Sequence, residues 1–105
     1  MDKETNTKIV GVTFGNRQAL IRKLGKGESL ELVREPKNSF DSNAVAIKKG
    51  KDHLGYVKRE LASSLAREMD AGHLFTVVVS SITGGGYNTS HGANIRITRL
   101  DEEKI

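Results

Sequence analysis

The sequence predicts a mainly β fold with accessory helices, an α+β domain whose strands close, or nearly close, into a small barrel. Three observations lead there. Six short segments carry apolar residues at a period of two, separated by turn-forming Gly, Pro, Asn and Asp. One segment near 60–71 carries apolar residues at helical spacing instead. A chain of 105 residues has room for one domain with one modest core, and a small sheet removes its exposed edges by closing on itself.

The elements follow in order. Met1 to Thr7 is polar with mixed charge and reads as an N-terminal tail, 1–7. Lys8 to Phe14 reads as a strand with Val10, Val12 and Phe14 on one face, broken by Gly15-Asn16. Leu20, Ile21 and Leu24 fit a short helix near 17–24, and Gly25-Lys26-Gly27 turns the chain. The central stretch, Ser29 to Ile47, reads as strand, polar loop, strand. Leu30 and Leu32 alternate with Glu31 and Val33, and Val45 and Ile47 repeat the pattern beyond the loop. Pro36 forces Glu35 to be extended, which ends the first strand. Asn38, Asp41 and Asn43 can bond nearby backbone and hold the loop compact. A basic turn, Lys48 to Asp52, leads into His53 to Val57, with Leu54 and Tyr56 on one face and Gly55 marking a bulge or a close backbone approach. The helix 60–71 presents Leu61, Leu65 and Met69 flanked by Ala62 and Ala66, with Gly72 as its stop. Phe75 to Thr83 is a long strand. Asn94 to Leu100 is the last, with Ile95 and Ile97 inward. One domain spans 8–100, followed by an acidic tail, 101–105.

Composition narrows the function. No run approaches the roughly 20 apolar residues of a membrane span. The polar N-terminus is not a secretory signal, and there is no cysteine, so a cytoplasmic setting without disulfides is expected. Net charge is +4; setting aside Asp101, Glu102, Glu103 and Lys104 leaves 16 basic and 10 acidic residues, a body of +6. Such a body suits an anionic partner such as nucleic acid.

Chemistry is sparse. Gly84-Gly85-Gly86 precedes a polar loop and a strand rather than a helix, so it reads as a hairpin loop and not a phosphate cradle. His53, His73 and His91 lack metal-ligand spacing, so no metal and no cofactor is expected. No serine sits in a G-x-S-x-G elbow. The basic and aromatic residues are more informative. Arg17, Arg34, Lys37, Lys58 and Arg59 border strand ends and loops, and Phe40 and Tyr56 lie in the same regions. Bases can stack on such rings while cations hold phosphates. The same residues also fit a core plug and a solvated surface.

Three strings then stand out: G-N-R-Q (Gly15 to Gln18), L-V-R-E-P-K-N-S-F-D-S-N-A-V-A-I (Leu32 to Ile47) and L-G-Y-V-K-R-E-L-A (Leu54 to Ala62). Together they closely resemble the HIRAN domain, over nearly the whole chain from about Lys8 to Leu100, and in particular its free-standing bacterial form. The resemblance implies an OB-like β-barrel that binds single-stranded DNA at a free 3′-hydroxyl end. By position, it implies that Phe40 stacks on the terminal base and Asp41 accepts a hydrogen bond from the 3′-hydroxyl. Arg17 and Arg59 would contact phosphate, beside Lys58. Tyr56 stands where DNA-binding members carry His near the nucleotide. Gln18 departs from the pattern, standing where those members carry a second stacking tyrosine. A buried carboxylate at Asp41 would repel a 3′-phosphate and accept a hydroxyl proton. The hydrolase and zinc activities of fused relatives are not carried over.

The expectation is therefore a non-catalytic module for single-stranded DNA or another nucleic-acid end, serving repair or stalled-fork processing beside a helicase or nuclease, with no membrane contact. The alternative is a protein-interaction adaptor that uses the same groove or a strand edge. A third class, a metal-dependent hydrolase, would place its chemistry at Glu35 and Asp41.

Overall fold

The computed structural model describes residues 1–100; the acidic stretch read at 101–105 lies outside the described residues. The chain runs β1 (Glu4–Val10), α1 (Arg17–Arg22), β2 (Ser29–Arg34), β3 (Val45–Lys49), β4 (Asp52–Val57), α2 (Arg59–Asp70), β5 (Phe75–Thr83) and β6 (Gly92–Arg99). The six strands close into a barrel in the order β1-β4-β3-β2-β5-β6, with every pairing antiparallel. The predicted mainly β barrel with two helices is the observed fold.

The first strand differs from its reading. It begins at Glu4, so residues 4–7 supply strand rather than tail: Glu4 to Lys8 pair with β6, and Ile9 and Val10 pair with β4. Its inward face is Thr5, Thr7 and Ile9, the last only 4% exposed, and not Val10, Val12 and Phe14. The cause is Gly11, whose φ of +71° turns the chain out of the strand directly after Val10. Phe14 is thereby carried outward and is 74% exposed.

β4 holds the bulge expected at Gly55. Ile47 pairs with Gly55 while Lys48 pairs with His53, so Leu54 is the extra residue. The bulge resets the alternation. Leu54 and Val57 both enter the core, and Tyr56 is half-buried instead of sharing Leu54's face.

The core fills the barrel with Val45, Ile47, Val77, Val79, Ile95 and Ile97, and α1 adds Ile21. α2 lays Ala62, Leu65 and Ala66 on the barrel, with Leu61 and Met69 at the margin of that contact. Its small residues permit close approach. The helix ends as predicted. Gly72, at φ +96°, donates its N–H to the Met69 carbonyl, and the next N–H, of His73, reaches back to the Glu68 carbonyl.

Ion pairs tie α2 to the barrel. Arg34 holds Asp70 with two bonds, Nε to Oδ1 at 2.9 Å and Nη2 to Oδ2 at 3.1 Å. Glu68 accepts from Arg99 at 2.9 Å and faces the Met1 amine at 3.3 Å. Burial pushes the Glu68 carboxyl up, but Arg99 and the amine outweigh it and hold it below the usual range; Arg34 holds Asp70 low. A carboxyl whose folded pKa is depressed adds stability that is complete above its unfolded pKa, about 4, and is lost as pH falls toward the folded value. The melting temperature is therefore expected to be level above about pH 5 and to decline between about pH 4.5 and 3. Thermal melts across that range check it, and Asp70→Asn should flatten part of the decline.

Candidate nucleic-acid interface

The 35–43 loop is built by its own side chains. Asn38 Oδ1 accepts the backbone N–H of Phe40 at 2.9 Å and of Asp41 at 3.1 Å. Asn38 Nδ2 donates to Glu35 Oε1 at 3.0 Å. Asp41 Oδ1 accepts the Asn43 N–H at 2.9 Å, an Asx turn, and the Ala44 N–H donates to the Asp41 carbonyl. Arg34 Nη1 braces the far side by donating to the Ser42 and Ala44 carbonyls. Arg34, Glu35 and Asn38 are thus taken up by partners in the loop, on β4 and on α2. The large apolar side chain that the loop presents outward is Phe40, 89% exposed, and Lys37 is exposed in the same loop. The choice between core plug and exposed ring is settled in favour of the exposed ring.

Phe40 lines a groove of about 610 Å³ together with Val10, Phe14, Arg17, Asp41 and Arg59. Asn38, Ser39, Ala44, Tyr56 and Val57 complete it. Among the described residues, six large hydrophobic side chains are exposed, and three of them, Val10, Phe14 and Phe40, converge here. The other three, Leu74, Tyr87 and Leu100, lie outside it. An apolar wall rimmed by cations is the general form of a single-strand site.

Arg17 spans the groove floor. Its Nη1 donates to the Gly11 carbonyl at 2.8 Å, and its Cζ lies 5.3 Å from the Phe14 ring centre and 5.5 Å from that of Tyr56. Tyr56 gives its hydroxyl proton to Glu35 Oε1 at 2.8 Å. Burial raises the Tyr56 pKa and the bond to Glu35 raises it further, so the phenol stays neutral. For Glu35, burial pushes upward and is outweighed by hydrogen bonds from Asn38 and Tyr56 and by nearby His53, which leaves it below the usual range. His53 Nε2 stands 3.6 Å from Glu35 Oε2, beyond hydrogen-bond reach. Burial, then the charge of Arg17, keeps that imidazole's pKa low.

Asp41 is partly exposed, at 21%, and not the buried carboxylate expected from the resemblance. Its Oδ2 lies 3.7 Å from Arg59 Nε, and Arg59 Nη2 also reaches the Phe40 carbonyl at 3.4 Å. Arg59 is itself 76% exposed. The groove thus presents one carboxylate beside two guanidinium groups and three rings, two of them exposed.

Two of the expected contacts stand apart. Lys58 is exposed at the start of α2 and does not line the groove. Gln18 is fully used in structure. Its Nε2 donates to the carbonyls of Val12 at 2.8 Å and His91 at 2.9 Å, and its Oε1 accepts the His91 N–H at 2.8 Å. It ties the loop before β6 to the segment that carries Phe14. Gln18→Ala is expected to cost about 1–3 kcal/mol in thermal denaturation, by leaving half-buried backbone groups unpaired. Sequence reasoning misses Phe14 and Val10 as groove residues, because their apolar alternation runs straight through Gly11.

Comparisons with known proteins bear on the family and the fold. The family model of the HIRAN domain matches residues 3–98. The chain belongs to the HIRAN domain family. HIRAN domains form a DNA-binding family. Helicase-like transcription factor of Oryctolagus cuniculus is 34% identical to this HIRAN chain over 73 residues, 66% of the chain and 7% of that relative's length. The crystal structure of the HIRAN domain of human HLTF superposes with a TM-score of 0.72 at 25% identity, covering 91% of this chain and 74% of that one. A structure of a protein from Lactobacillus plantarum shares the fold, with a TM-score of 0.68 at 22% identity over 90% of this chain and 98% of that one. No helix among the described residues is long and apolar enough to cross a membrane.

Proposed function

We propose that this HIRAN domain is a non-catalytic module that holds single-stranded DNA by a free 3′-hydroxyl end. The observation that carries the reading is the convergence of Val10, Phe14 and Phe40, all exposed, with Asp41, Arg17 and Arg59 on one groove. The terminal base stacks on Phe40. Phe14, which also lines the groove, offers a second ring where Gln18 supplies none. The terminal hydroxyl donates to Asp41, and Arg17 and Arg59 meet the adjoining phosphates. A 3′-phosphate in the same seat would bring a dianion against the Asp41 carboxylate. A protein that reads ends in this way would serve DNA repair or stalled-fork processing and would hand the end to a helicase or nuclease.

A peptide added as an extra strand is the weaker reading, because each of the six strands is already paired on both sides over at least part of its length in the closed barrel. Hydrolysis at Glu35 and Asp41 is weaker too. Glu35 is engaged by Asn38, Tyr56 and His53, while Asp41 faces Arg59.

The test is fluorescence anisotropy with two short oligonucleotides that differ only in ending in a 3′-hydroxyl or a 3′-phosphate. Tighter binding of the hydroxyl form by about tenfold, the worth of one charge-assisted hydrogen bond, is expected. Binding should also weaken steeply with salt as phosphate contacts release counterions. Equal binding of both forms would reduce the groove to a nonspecific basic surface. No binding to either would return the adaptor reading.

A further inference from the structure

Glu35 is absent from the groove lining, yet it holds the Asn38 side chain that bonds the backbone of Phe40 and Asp41. Its Oε1 accepts two hydrogen bonds from opposite sides, from Asn38 Nδ2 on the loop and from the Tyr56 hydroxyl on β4. Its backbone takes part as well: the Asn38 N–H donates to the Glu35 carbonyl, and the Glu35 N–H donates to the Ala44 carbonyl across the loop's mouth. The Asn38 amide has two ends. With Nδ2 on Glu35, Oδ1 is turned to receive the N–H groups of Phe40 and Asp41. The path from Glu35 to the end-reading pair is thus two hydrogen bonds long and passes through one side chain.

That arrangement also fixes which way the amide faces. Without an acceptor at Nδ2 the amide would be held at one end alone, by the Phe40 and Asp41 N–H groups on Oδ1. A carboxylate there accepts only, so it anchors the second end and reinforces the productive orientation. The same oxygen ties the Tyr56 phenol, whose ring stands over Arg17, so one group holds the loop and the cationic floor in register. Oε2 faces His53, whose own ring packs against Tyr56 at 4.9 Å.

We propose that Glu35 is the positioning residue of the end-reading site: without touching the strand, it sets the hydroxyl-over-phosphate preference by orienting Asn38 and, through it, the backbone that aims Phe40 and Asp41. This rests on the reading of the groove as a 3′-end site. The role needs an acceptor and not a charge, so the amide oxygen of glutamine can fill it. A merely structural carboxylate would change stability and overall affinity alike, and would leave the ratio between the two oligonucleotides untouched.

The experiment measures anisotropy with the 3′-hydroxyl and 3′-phosphate oligonucleotides for the wild-type chain, Glu35→Ala, Glu35→Gln and Asn38→Ala, each with a thermal melt. Glu35→Ala is expected to bring the ratio from about tenfold to within about twofold of unity, losing the worth of one charge-assisted hydrogen bond. Salt-dependent binding to both oligonucleotides should persist, because Arg17 and Arg59 remain. Asn38→Ala should repeat the loss, and it carries the test should Glu35→Ala not fold. Glu35→Gln should keep a ratio close to wild type. A folded Glu35→Ala or Asn38→Ala with the wild-type ratio would overturn the inference and leave the end-reading site standing. A collapse in Glu35→Gln equal to that in Glu35→Ala would also overturn it, since charge and not acceptance would then be the cause. A wild-type chain that does not distinguish the two ends would remove the reading beneath it, a result separate from either.

Discussion

Gly55→Ala is expected to lower the stability of the domain by about 3 kcal/mol or more. A Cβ at that position would stand 2.4 Å from the Val10 carbonyl oxygen and 2.6 Å from Ile9 Cγ2, and the φ of +154° is one that side chains rarely adopt. The oxygen is backbone, so no rotamer change relieves the contact; β1 itself must move. The seam between β1 and β4 consists of two pairs, Ile9 with Val57 and Val10 with Tyr56, so it has little reserve. Val10, Tyr56 and Val57 also line the groove, and parting the seam opens the barrel and the site together. For a domain of this size the melting temperature should fall by at least about 12 °C. Gly50→Ala is the control. Gly50 also has a positive φ, +60°, but nothing lies within 4 Å of its Cβ, so only the backbone strain of about 1 kcal/mol should appear. Equal shifts for the two variants would mean that close packing across the seam is not what the glycine serves.

Gly55 also marks how far the sequence can be read. A glycine inside an apolar strand points to a bulge or a close approach, and the barrel has both. The bulge's consequence is not legible, because one inserted residue reverses the facing of everything beyond it, and the position of that residue is decided by the partner strand. The same limit applies to β1. Thr5 and Thr7 face inward opposite Ile97 and Ile95, but two threonines among Glu, Asn and Lys carry no apolar signal, so Val10, Val12 and Phe14 supply a misleading alternation instead. The closed barrel and both helices are legible because they rest on segment counts and on one clear helical stripe, which tolerate errors of facing.

The site divides along another line. Its location in the 35–43 loop is legible, since a cluster of Asn, Asp and Pro builds a compact loop, and a lone aromatic within it has no apolar neighbours to join. Which polar residues serve the loop and which face outward is not, because residue type does not give direction. Arg34 looks as available to phosphate as Arg17 and is instead spent on Asp70 and two carbonyls. Gln18 looks like a degraded stacking position and is a three-bond clasp. In each case the deciding partner lies far away in sequence: Asp70 is 36 residues from Arg34, and His91 is 73 from Gln18.

Phe40→Ala is expected to weaken binding of a 3′-hydroxyl oligonucleotide by about 10- to 100-fold, the loss of a stacking platform worth about 1–3 kcal/mol, while moving the melting temperature by less than about 2 °C. The two halves of this prediction come from the same facts. A ring that is 89% exposed contributes almost no burial to lose. The bonds that shape its loop run from Asn38 Oδ1 to backbone N–H groups, which alanine retains. A ring so placed is costly to leave in water unless something covers it, and the groove beside it holds Arg17 and Arg59 to attract a polyanion. Phe40→Trp separates stacking from shape, since a larger π-surface should bind at least as well as the native ring. Anisotropy titrations paired with thermal melts decide the matter. A stability loss of several degrees in Phe40→Ala would make the ring a packing element. Unchanged affinity with unchanged stability would transfer the stacking role to Phe14, the other exposed ring on the groove.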